Sequence, residues 1–166
     1  MSINIACLSD THGFLDNRLI GFIEPCDEIW HAGDIGSLEV AERLRGIKPL
    51  RAVSGNIDDL EIRRIYPVHQ RFEIGGLDVW ITHIGGYPGK YAPWVKPAIF
   101  ESPPRVFICG HSHILKVVND KELGLIHINP GAAGKSGMHK VQTAIRFVID
   151  NQKLSELEVI ELQRRR

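Results

Sequence analysis

Seven side chains of the kinds that bind divalent metals stand in turns of this sequence, directly after short apolar segments. They are Asp10, His12, Asp34, Asn56, His83, His111 and His113. Each apolar segment is typical of a buried strand, and ligands of α/β proteins collect at the carboxyl ends of strands. An Asp or Asn beside glycine is by itself only a turn former. Because five strand ends carry such residues, we interpret them as one site.

The chemistry of these side chains indicates what they bind. Carboxylate and amide oxygens occur with imidazole nitrogens and without thiolate, which favours Mn, Fe, Ni, Co or Zn over a structural cysteine site. Since side chains two apart in an extended segment point the same way, we expect Asp10 and His12 to face one ion, and His111 and His113 likewise. Seven ligands exceed what one ion takes with room for substrate. We therefore expect two ions sharing a carboxylate, a device for in-line displacement at phosphorus.

Strands and a few helices must position these residues. The predicted strands are 3–8, 28–31, 50–53, 72–74, 77–82, 106–109, 114–118, 124–128, 143–149 and 157–162. Gly75-Gly76 predicts a hairpin between the fourth and fifth. The predicted helices are 17–23, 37–44 with Ser37 as N-cap, and 59–65, whereas prolines leave 91–100 open between helix and loop. Strands and helices alternate in the first half of the chain, and strands predominate in the second half. This order predicts a mixed α/β layered domain.

Composition narrows the class of protein. The 166 residues suit one domain, expected over 1–163, and 43% hydrophobic with 24% charged residues is ordinary globular usage. Lys plus Arg equals Asp plus Glu at 20 each, which argues against a nucleic-acid face. We interpret Arg164-Arg165-Arg166 as a solvated tail. Three scattered cysteines give no disulfide framework. The sequence shows no signal peptide or membrane span, so we expect a cytoplasmic protein.

The remaining polar groups receive structural interpretations. His31, His69, His127 and His139 are interpreted as hydrogen-bonded core residues, with orientation of a metal ligand as the alternative for His31. Asp58 either orients a ligand or caps the helix at 59–65, and we favour the cap.

At this point the motifs resemble a known family. The five ordered motifs of the calcineurin-like metallophosphoesterases are matched by Asp10-Thr11-His12, Gly33-Asp34, Gly55-Asn56, Thr82-His83 and Gly110-His111-Ser112-His113. Their order and spacing are similar to the smallest members, the YfcE-type bacterial and archaeal phosphodiesterases, and Asn129-Pro130-Gly131 resembles a further loop of that branch. A single D-x-H is weak, but five motifs ending in G-H-S-H are specific.

The resemblance implies a four-layer α/β/β/α sandwich of two mixed sheets with two divalent ions at one end. Mn is the first candidate for these ions, and Ni, Fe, Co or Zn are the alternatives. It implies a first ion held by Asp10, His12, Asp34 and His113. It implies a second held by Asp34, Asn56, His83 and His111, with Asp34 bridging. The expected function is hydrolysis of a small phosphate ester, most readily a diester, by hydroxide formed between the ions, with Asp34, Asn56 and His83 as catalytic residues.

One position departs from the family. Many members have G-N-H-[DE], in which the histidine assists the leaving group, whereas this chain has Gly55-Asn56-Ile57-Asp58. Ile57 cannot donate a proton. We therefore predict weak turnover of alkyl monoesters and better turnover of esters with good leaving groups.

Three other functions have some support in the sequence. Residues 131–136 resemble a phosphate-binding P-loop, but Asn129 stands where that motif needs glycine, so a rim loop is favoured. A non-catalytic scaffold like the retromer subunit of this fold is the main alternative, and seven intact ligand positions favour catalysis. A nuclease is not favoured, because the chain lacks the G-N-H motif and has no net positive charge to neutralise the phosphates of a nucleic acid. Tyr87, Tyr91 and Trp94 could stack on substrate, or be core or homo-oligomer contacts.

Overall fold

The computed structural model describes residues 1–164 and contains two five-stranded sheets. In spatial order the first sheet is β12 (Lys153–Gln163), β11 (Val141–Asp150), β1 (Ile3–Leu8), β2 (Glu28–His31) and β3 (Leu50–Ala52). The second is β4 (His69–Ile74), β5 (Leu77–Thr82), β8 (Val106–Ile108), β10 (Leu125–Pro130) and β9 (Leu115–Asp120). A small hairpin pairs β6 (Gly86–Tyr87) with β7 (Lys90–Tyr91). The helices are α1 (Asn17–Ile23), α2 (Leu38–Ile47), α3 (Leu60–Ile65) and α4 (Lys96–Glu101).

Alternation along the strands builds three apolar layers. On β1, Ala6 and Leu8 pack in a cluster with residues of α1 and α2, while Ile5 and Cys7 pack in a second cluster with residues of the other sheet. A third cluster lies on the far side of the second sheet, where Phe107 meets residues of α4. The period of two in a strand requires this division between two faces. The predicted four-layer α/β/β/α sandwich of two mixed sheets is therefore confirmed.

Both sheets contain a parallel set of three strands. β1 pairs parallel with β2, and β2 with β3; β8 pairs parallel with both β5 and β10. The outer strands β11, β12, β4 and β9 run antiparallel to their neighbours. Parallel strands bring their carboxyl ends to the same edge, where ligands of α/β sheets gather. The turns that carry the predicted ligands follow β1, β2, β3, β5 and β8.

Local sequence signals account for most boundaries. Ser37 caps α2 by accepting the N–H of Val40, and Gly75-Gly76 turns β4 back along β5. The segment left open at 91–100 contains the end of β7 and most of α4, with Pro97 within its first two positions, where a missing N–H costs nothing. The hairpin of β6 and β7 was not predicted, because its two-residue strands are too short to show a period.

The cysteines, the helices and the basic C-terminal residues bear on the class of protein. All three cysteines are buried free thiols. Within residues 1–164 no helix is long and apolar enough to cross a membrane. Of the predicted solvated tail, Arg165 and Arg166 lie outside the described residues. Arg164 is exposed, but it donates to the carbonyls of Gly137 and His139 at 2.9 and 2.7 Å, which ties the end of β12 to the loop before β11.

Candidate metal centre

The turns after β1 and β8 bring a carboxylate and two imidazoles together. His113 Nε2 lies 3.1 Å and His12 Nε2 3.6 Å from Asp10 Oδ1. The three ligand atoms lie within 4.8 Å of one another, close enough to share one ion. Asp10 is fully buried, while the two imidazoles are part-exposed. This is the set predicted for the first ion, apart from the shared Asp34.

A second group of the same kind lies beside the first. Asp34, His83 and His111 place their ligand atoms within 4.8 Å of one another, and His83 Nε2 is 3.1 Å from Asp34 Oδ2. The same Asp34 oxygen is 3.4 Å from His12 Nε2, which belongs to the first group. Asp34 therefore stands between the two groups, in the position predicted for a bridging carboxylate.

Asn56 lies at the open side of the second group. Its two chain neighbours both touch Asp34: Ile57 donates its backbone N–H to Asp34 Oδ1 at 3.0 Å, and a Cβ on Gly55 would lie 2.0 Å from that oxygen. Only glycine permits this approach at position 55. The Asn56 side chain is exposed and lines a cavity together with His83. All seven predicted residues thus gather at one edge of the two sheets.

The backbone at these residues is strained in a consistent way. Asp10, His12, Asp34, His111 and His113 all have positive φ, between 46° and 70°. Residues other than glycine rarely adopt this backbone conformation, and residues that do so cluster at functional sites. The turn also corrects the expectation drawn from spacing alone, that His111 and His113 face one ion as an extended pair. They fall into different groups, which is the division that the resemblance implies. Side chains two apart point the same way only in an extended chain, and with φ of 70° at His111 and 60° at His113 this chain is not extended.

Several ligand atoms have no hydrogen-bonding partner among residues 1–164. Asp10 Oδ1, His12 Nε2 and His83 Nε2 are buried and make no hydrogen bond to the described residues. Unsatisfied buried polar atoms are costly and call for an explanation such as an ion. His83 Nδ1 lies 2.7 Å from the carbonyl of Ala32. A carbonyl only accepts, so Nδ1 carries a proton, which leaves Nε2 as the ring atom that could coordinate an ion. The residues present therefore fit divalent metals.

The charges of the site favour ionised carboxylates. Burial works against the charge of Asp10, but the imidazoles of His113, His12 and His83 outweigh it and hold the pKa of this carboxyl well below its usual range. Burial likewise opposes the charge of Asp34, and contacts with His83 and with the Ile57 N–H lower its pKa in spite of it. Burial lowers the pKa of His83, and the same two carboxylates more than reverse this and raise it. The carboxylates thus attract positive charge, which a divalent ion would supply.

His31 joins the turns after β1 and β2 from below the site. Thr11 Oγ1 donates to the carbonyl of Ile35 at 2.9 Å, so it must accept from His31 Nε2 at 3.0 Å. His31 Nδ1 in turn accepts the N–H of Gly33 at 3.1 Å. This arrangement requires the neutral imidazole with its proton on Nε2. His31 is thus a fully buried, hydrogen-bonded residue, and its bonds also join the turns that carry Asp10 and Asp34.

We expect His31 to remain neutral in the metal-free protein at pH 5. Complete burial lowers its pKa from 6.5 to about 4. The unfolded chain then binds a proton more readily than the folded protein, so protonation of this histidine destabilises the fold. The destabilisation is absent above about pH 6.5, grows as the pH falls, and levels off below about pH 4. Between pH 7 and pH 5 the loss is about 2 kcal/mol. An NMR titration of the His31 ring and urea unfolding of wild type against His31→Gln would measure both, and a normal ring pKa would contradict the buried network.

Asp58 fastens the turn of Asn56 to the turn of Asp34. Its carboxylate accepts the backbone N–H groups of Gly55 at 2.7 Å, Gly36 at 2.8 Å and Ile35 at 3.2 Å. The helix cap is the next residue, Asp59, which accepts the N–H of Ile62. The favoured interpretation of Asp58 as a cap was therefore wrong. α3 begins at Leu60, and the buried Asp58 reaches a turn 22 positions away, which sequence spacing does not reveal.

Replacing Asp58 with alanine is expected to cost about 2–4 kcal/mol of folding free energy, because the N–H groups of Gly55 and Ile35 would be left buried and unpaired. Asp59→Asn is the matched control, since asparagine caps a helix as well as aspartate does. Urea unfolding of chelator-treated proteins would measure both. A stability loss no larger than that of the control would contradict the fastening role.

Two further residues support the turn of His111 and His113. Asn129 donates to the carbonyl of Gly110 at 3.0 Å and to Ser112 Oγ at 3.1 Å, which gives the Asn129-Pro130-Gly131 loop a structural role. The ring of His139 lies 5.2 Å from that of His113, edge to face. His139 was interpreted as a core residue, yet it lies against a predicted ligand. No local signal marks it, because the contact depends on how the loop before β11 folds back.

Two cavities that share Ile84 in their linings open next to the second group. One, of about 270 Å³, is lined by Asn56, His83, Ile84, Val68, Trp94 and neighbouring residues. The other, of about 420 Å³, is lined mainly by residues 84–93 together with His111 and Ser112. Tyr87 and Trp94, named from the sequence as possible stacking residues, each line one of these cavities. Tyr91 belongs to the core, where it donates to Asp120.

A fold of two facing mixed sheets, with two carboxylate–imidazole groups at their common edge, defines a class of metal-binding α/β/β/α protein. In a comparison with known families, residues 3–152 match the calcineurin-like phosphoesterase superfamily domain. The chain belongs to this family, as its motifs predict.

Individual relatives agree with this membership. A probable metallophosphoesterase from Methanothermobacter thermautotrophicus is 27% identical over 139 residues, covering 77% of this chain and 76% of its own. Vacuolar Protein Sorting 29 from Cryptosporidium parvum has a similar fold, with a TM-score of 0.74, 17% identity and coverage of 98% and 99%. A structure described as a novel archaeal phosphodiesterase has a TM-score of 0.66, 24% identity and coverage of 96% and 100%. The last two likenesses concern the fold alone.

Proposed function

We propose that this protein is a phosphodiesterase that depends on two divalent metal ions, of which Mn²⁺ is the first candidate. The observation that carries the proposal is the pair of adjacent ligand groups with Asp34 between them, 3.1 Å from His83 and 3.4 Å from His12. In the proposed assignment, the first ion is held by Asp10, His12, Asp34 and His113. The second is held by Asp34, Asn56, His83 and His111. Bound there, paired ions supply Lewis acidity, acidify water and neutralise phosphoryl charge.

The protein's own residues would bind the substrate and fix the positions of the metal-binding side chains. Asp34 fixes the separation of the two groups, and its place is set by the Ile57 N–H and by the Gly55 turn. His83 is held in one tautomer by the carbonyl of Ala32. Asn56 presents a neutral amide at the solvent side, where a phosphoryl oxygen can approach it. We assign Asp34, Asn56 and His83 the catalytic roles for these reasons.

The two cavities favour a diester over a monoester. Both reach the second ligand group, one through Asn56 and His83 and the other through His111, and both are lined by Ile84. A phosphate at this group could place one substituent in each cavity, whereas a monoester has only one substituent to place. The archaeal structural neighbour is described as a phosphodiesterase, which is consistent with this proposal.

Hydrolysis of bis-p-nitrophenyl phosphate tests the proposal. Protein stripped of metal with a chelator should be inactive, and Mn²⁺ should restore release of p-nitrophenolate. p-Nitrophenyl phosphate, the matching monoester with the same leaving group, should be hydrolysed more slowly. A folded protein that stays inactive with Mn, Ni, Fe, Co and Zn would contradict the proposal.

A protein-interaction scaffold is the second candidate function. The likeness in fold to Vacuolar Protein Sorting 29 and the exposed apolar residues Leu60, Ile65, Val68 and Trp94 favour it. A scaffold needs no ionised ligand set with orphaned atoms, which is why we place the enzyme first. A folded, metal-loaded but inactive protein that forms a stable complex with another chain would reverse this order.

A further inference from the structure

Three apolar side chains are exposed beside the predicted ligands of the second ion. Val68 is 61%, Ile84 38% and Trp94 44% exposed, and all three line the cavity of about 270 Å³ that also contains Asn56 and His83. Apolar surface grouped in a concave site next to polar groups is typical of a ligand pocket. Whatever occupies this cavity would lie against the metal centre.

The indole of Trp94 is held in place by a stacked neighbour. The ring of His69 lies 5.8 Å from it at an interplanar angle of 21°. His69, interpreted as a core residue from the sequence, is in fact exposed on β4 and also packs edge to face on Trp80 at 6.2 Å. Stacking on His69 restricts the plane of the indole, so Trp94 presents a preorganised aromatic surface to the cavity.

Arg63 adds a fixed positive charge to the same cavity. Its Nε donates to the carbonyl of Asp58 at 2.7 Å and its Nη2 to that of Asn56 at 3.0 Å. These bonds anchor the guanidinium to the turn that carries Asn56. The cavity thus combines an aromatic plane, aliphatic walls and a cation. A cavity of roughly 150 Å³ already holds a benzene ring, so this one has room for a flat ring.

We propose that this cavity, the Trp94 pocket, binds a planar aromatic substituent of the phosphate ester, either an aryl group or a nucleobase. The proposal rests on the proposed function, since the phosphate is placed at the metal centre. It also gives the exposed Trp94 a role in specificity. A flat ring stacks on an indole whatever its hydrogen-bonding groups, so the pocket selects for aromaticity.

Binding of matched ligand pairs tests the pocket without requiring turnover. One pair is phenylphosphonate and methylphosphonate, and the other is adenosine 5′-monophosphate and ribose 5-phosphate. The affinity of each ligand for the Mn²⁺-loaded protein would be measured by isothermal titration calorimetry, and tryptophan fluorescence would be recorded in a parallel titration. Of the three tryptophans, Trp30 and Trp80 are buried and Trp94 is exposed, so a stacked ring should quench mainly Trp94. The pair in which the ring improves binding more distinguishes an aryl group from a base.

We expect the ring-bearing member of at least one pair to bind about tenfold more tightly than its ring-free partner. Trp94→Ala should abolish that preference and Trp94→Phe should retain most of it. Phe100→Ala is the matched control, because Phe100 is also 44% exposed but does not line the pocket, and it should leave the preference unchanged. Val68→Ser should weaken the preference without touching an aromatic residue.

Equal affinities within both pairs, or a preference that survives Trp94→Ala, would overturn the pocket. The result is separable from the proposed function. Hydrolysis of diesters without a ring preference would leave the phosphodiesterase standing and remove the pocket, whereas a ring preference lost in Trp94→Ala, in a protein without hydrolysis, would support the pocket and count against the enzyme.

Discussion

Replacing Asp34 with asparagine is expected to lower kcat/KM for bis-p-nitrophenyl phosphate by about a thousandfold, or about 4 kcal/mol of transition-state stabilisation. The substitution keeps the shape of the side chain and an oxygen that can accept the Ile57 N–H, now at 3.0 Å from Asp34 Oδ1. It removes the negative charge that stands between the two ligand groups. An amide bridges two cations poorly, so we expect at least one ion to be lost or misplaced.

The fold should survive this change, because the hydrogen bond to the Asn56 turn is kept and the repulsion between Asp34 and Asp10 is removed. Circular dichroism and thermal unfolding of the chelator-treated proteins would check this. Asp78→Asn is a suitable control, since Asp78 pairs with Arg71 on β4, away from the site. An Asp34→Asn protein within tenfold of wild-type activity would show that Asp34 does not bridge the ions.

The second large effect concerns the leaving group. Ile57 occupies the position at which many relatives carry a histidine, and its aliphatic side chain is 46% exposed beside Asn56. General acid catalysis typically contributes about 10²–10⁴-fold. Without it, esters of good leaving groups should turn over at least about a hundredfold faster than alkyl esters of the same phosphate. Measurement of kcat for p-nitrophenyl, phenyl and ethyl esters separates this effect from binding in the Trp94 pocket.

Ile57→His should narrow this gap by speeding the alkyl ester while leaving the p-nitrophenyl ester nearly unchanged. Ile57→Gln, polar but unable to act as an acid, should not do so. The backbone N–H that position 57 gives to Asp34 is preserved in both variants. Similar kcat values for phenyl and ethyl esters in the wild-type protein would mean that another group protonates the leaving oxygen.

Strand order along the chain was predictable because each buried strand is a short apolar run that ends in a turn. The turns after β1 and β2, with Asp10 and Asp34, were located from this pattern alone. The hairpin at Gly75-Gly76 was predicted because glycines tolerate the positive φ that such a turn requires. The four layers and the division of ligands between two ions came instead from the resemblance to a family.

What could not be predicted depends on contacts between distant segments. The spacing rule for extended chain could not place His111 and His113, because both have left-handed backbone conformations that their residue types do not announce. Asp58 reaches across to Ile35 and Gly36 only because the turns after β2 and β3 are adjacent in space. His139 and Trp94 gain their positions from loops whose paths are set by tertiary packing, so the sequence indicated only that they were available.

The number and location of bound ions test the central claim most directly. A crystal of the Mn²⁺-loaded protein, measured at a wavelength where manganese scatters anomalously, should show two peaks per chain. One peak should be bounded by Asp10, His12 and His113, the other by Asn56, His83 and His111, with Asp34 contacting both. A single peak, or two peaks with Asp34 contacting only one of them, would contradict a centre of two ions bridged by Asp34.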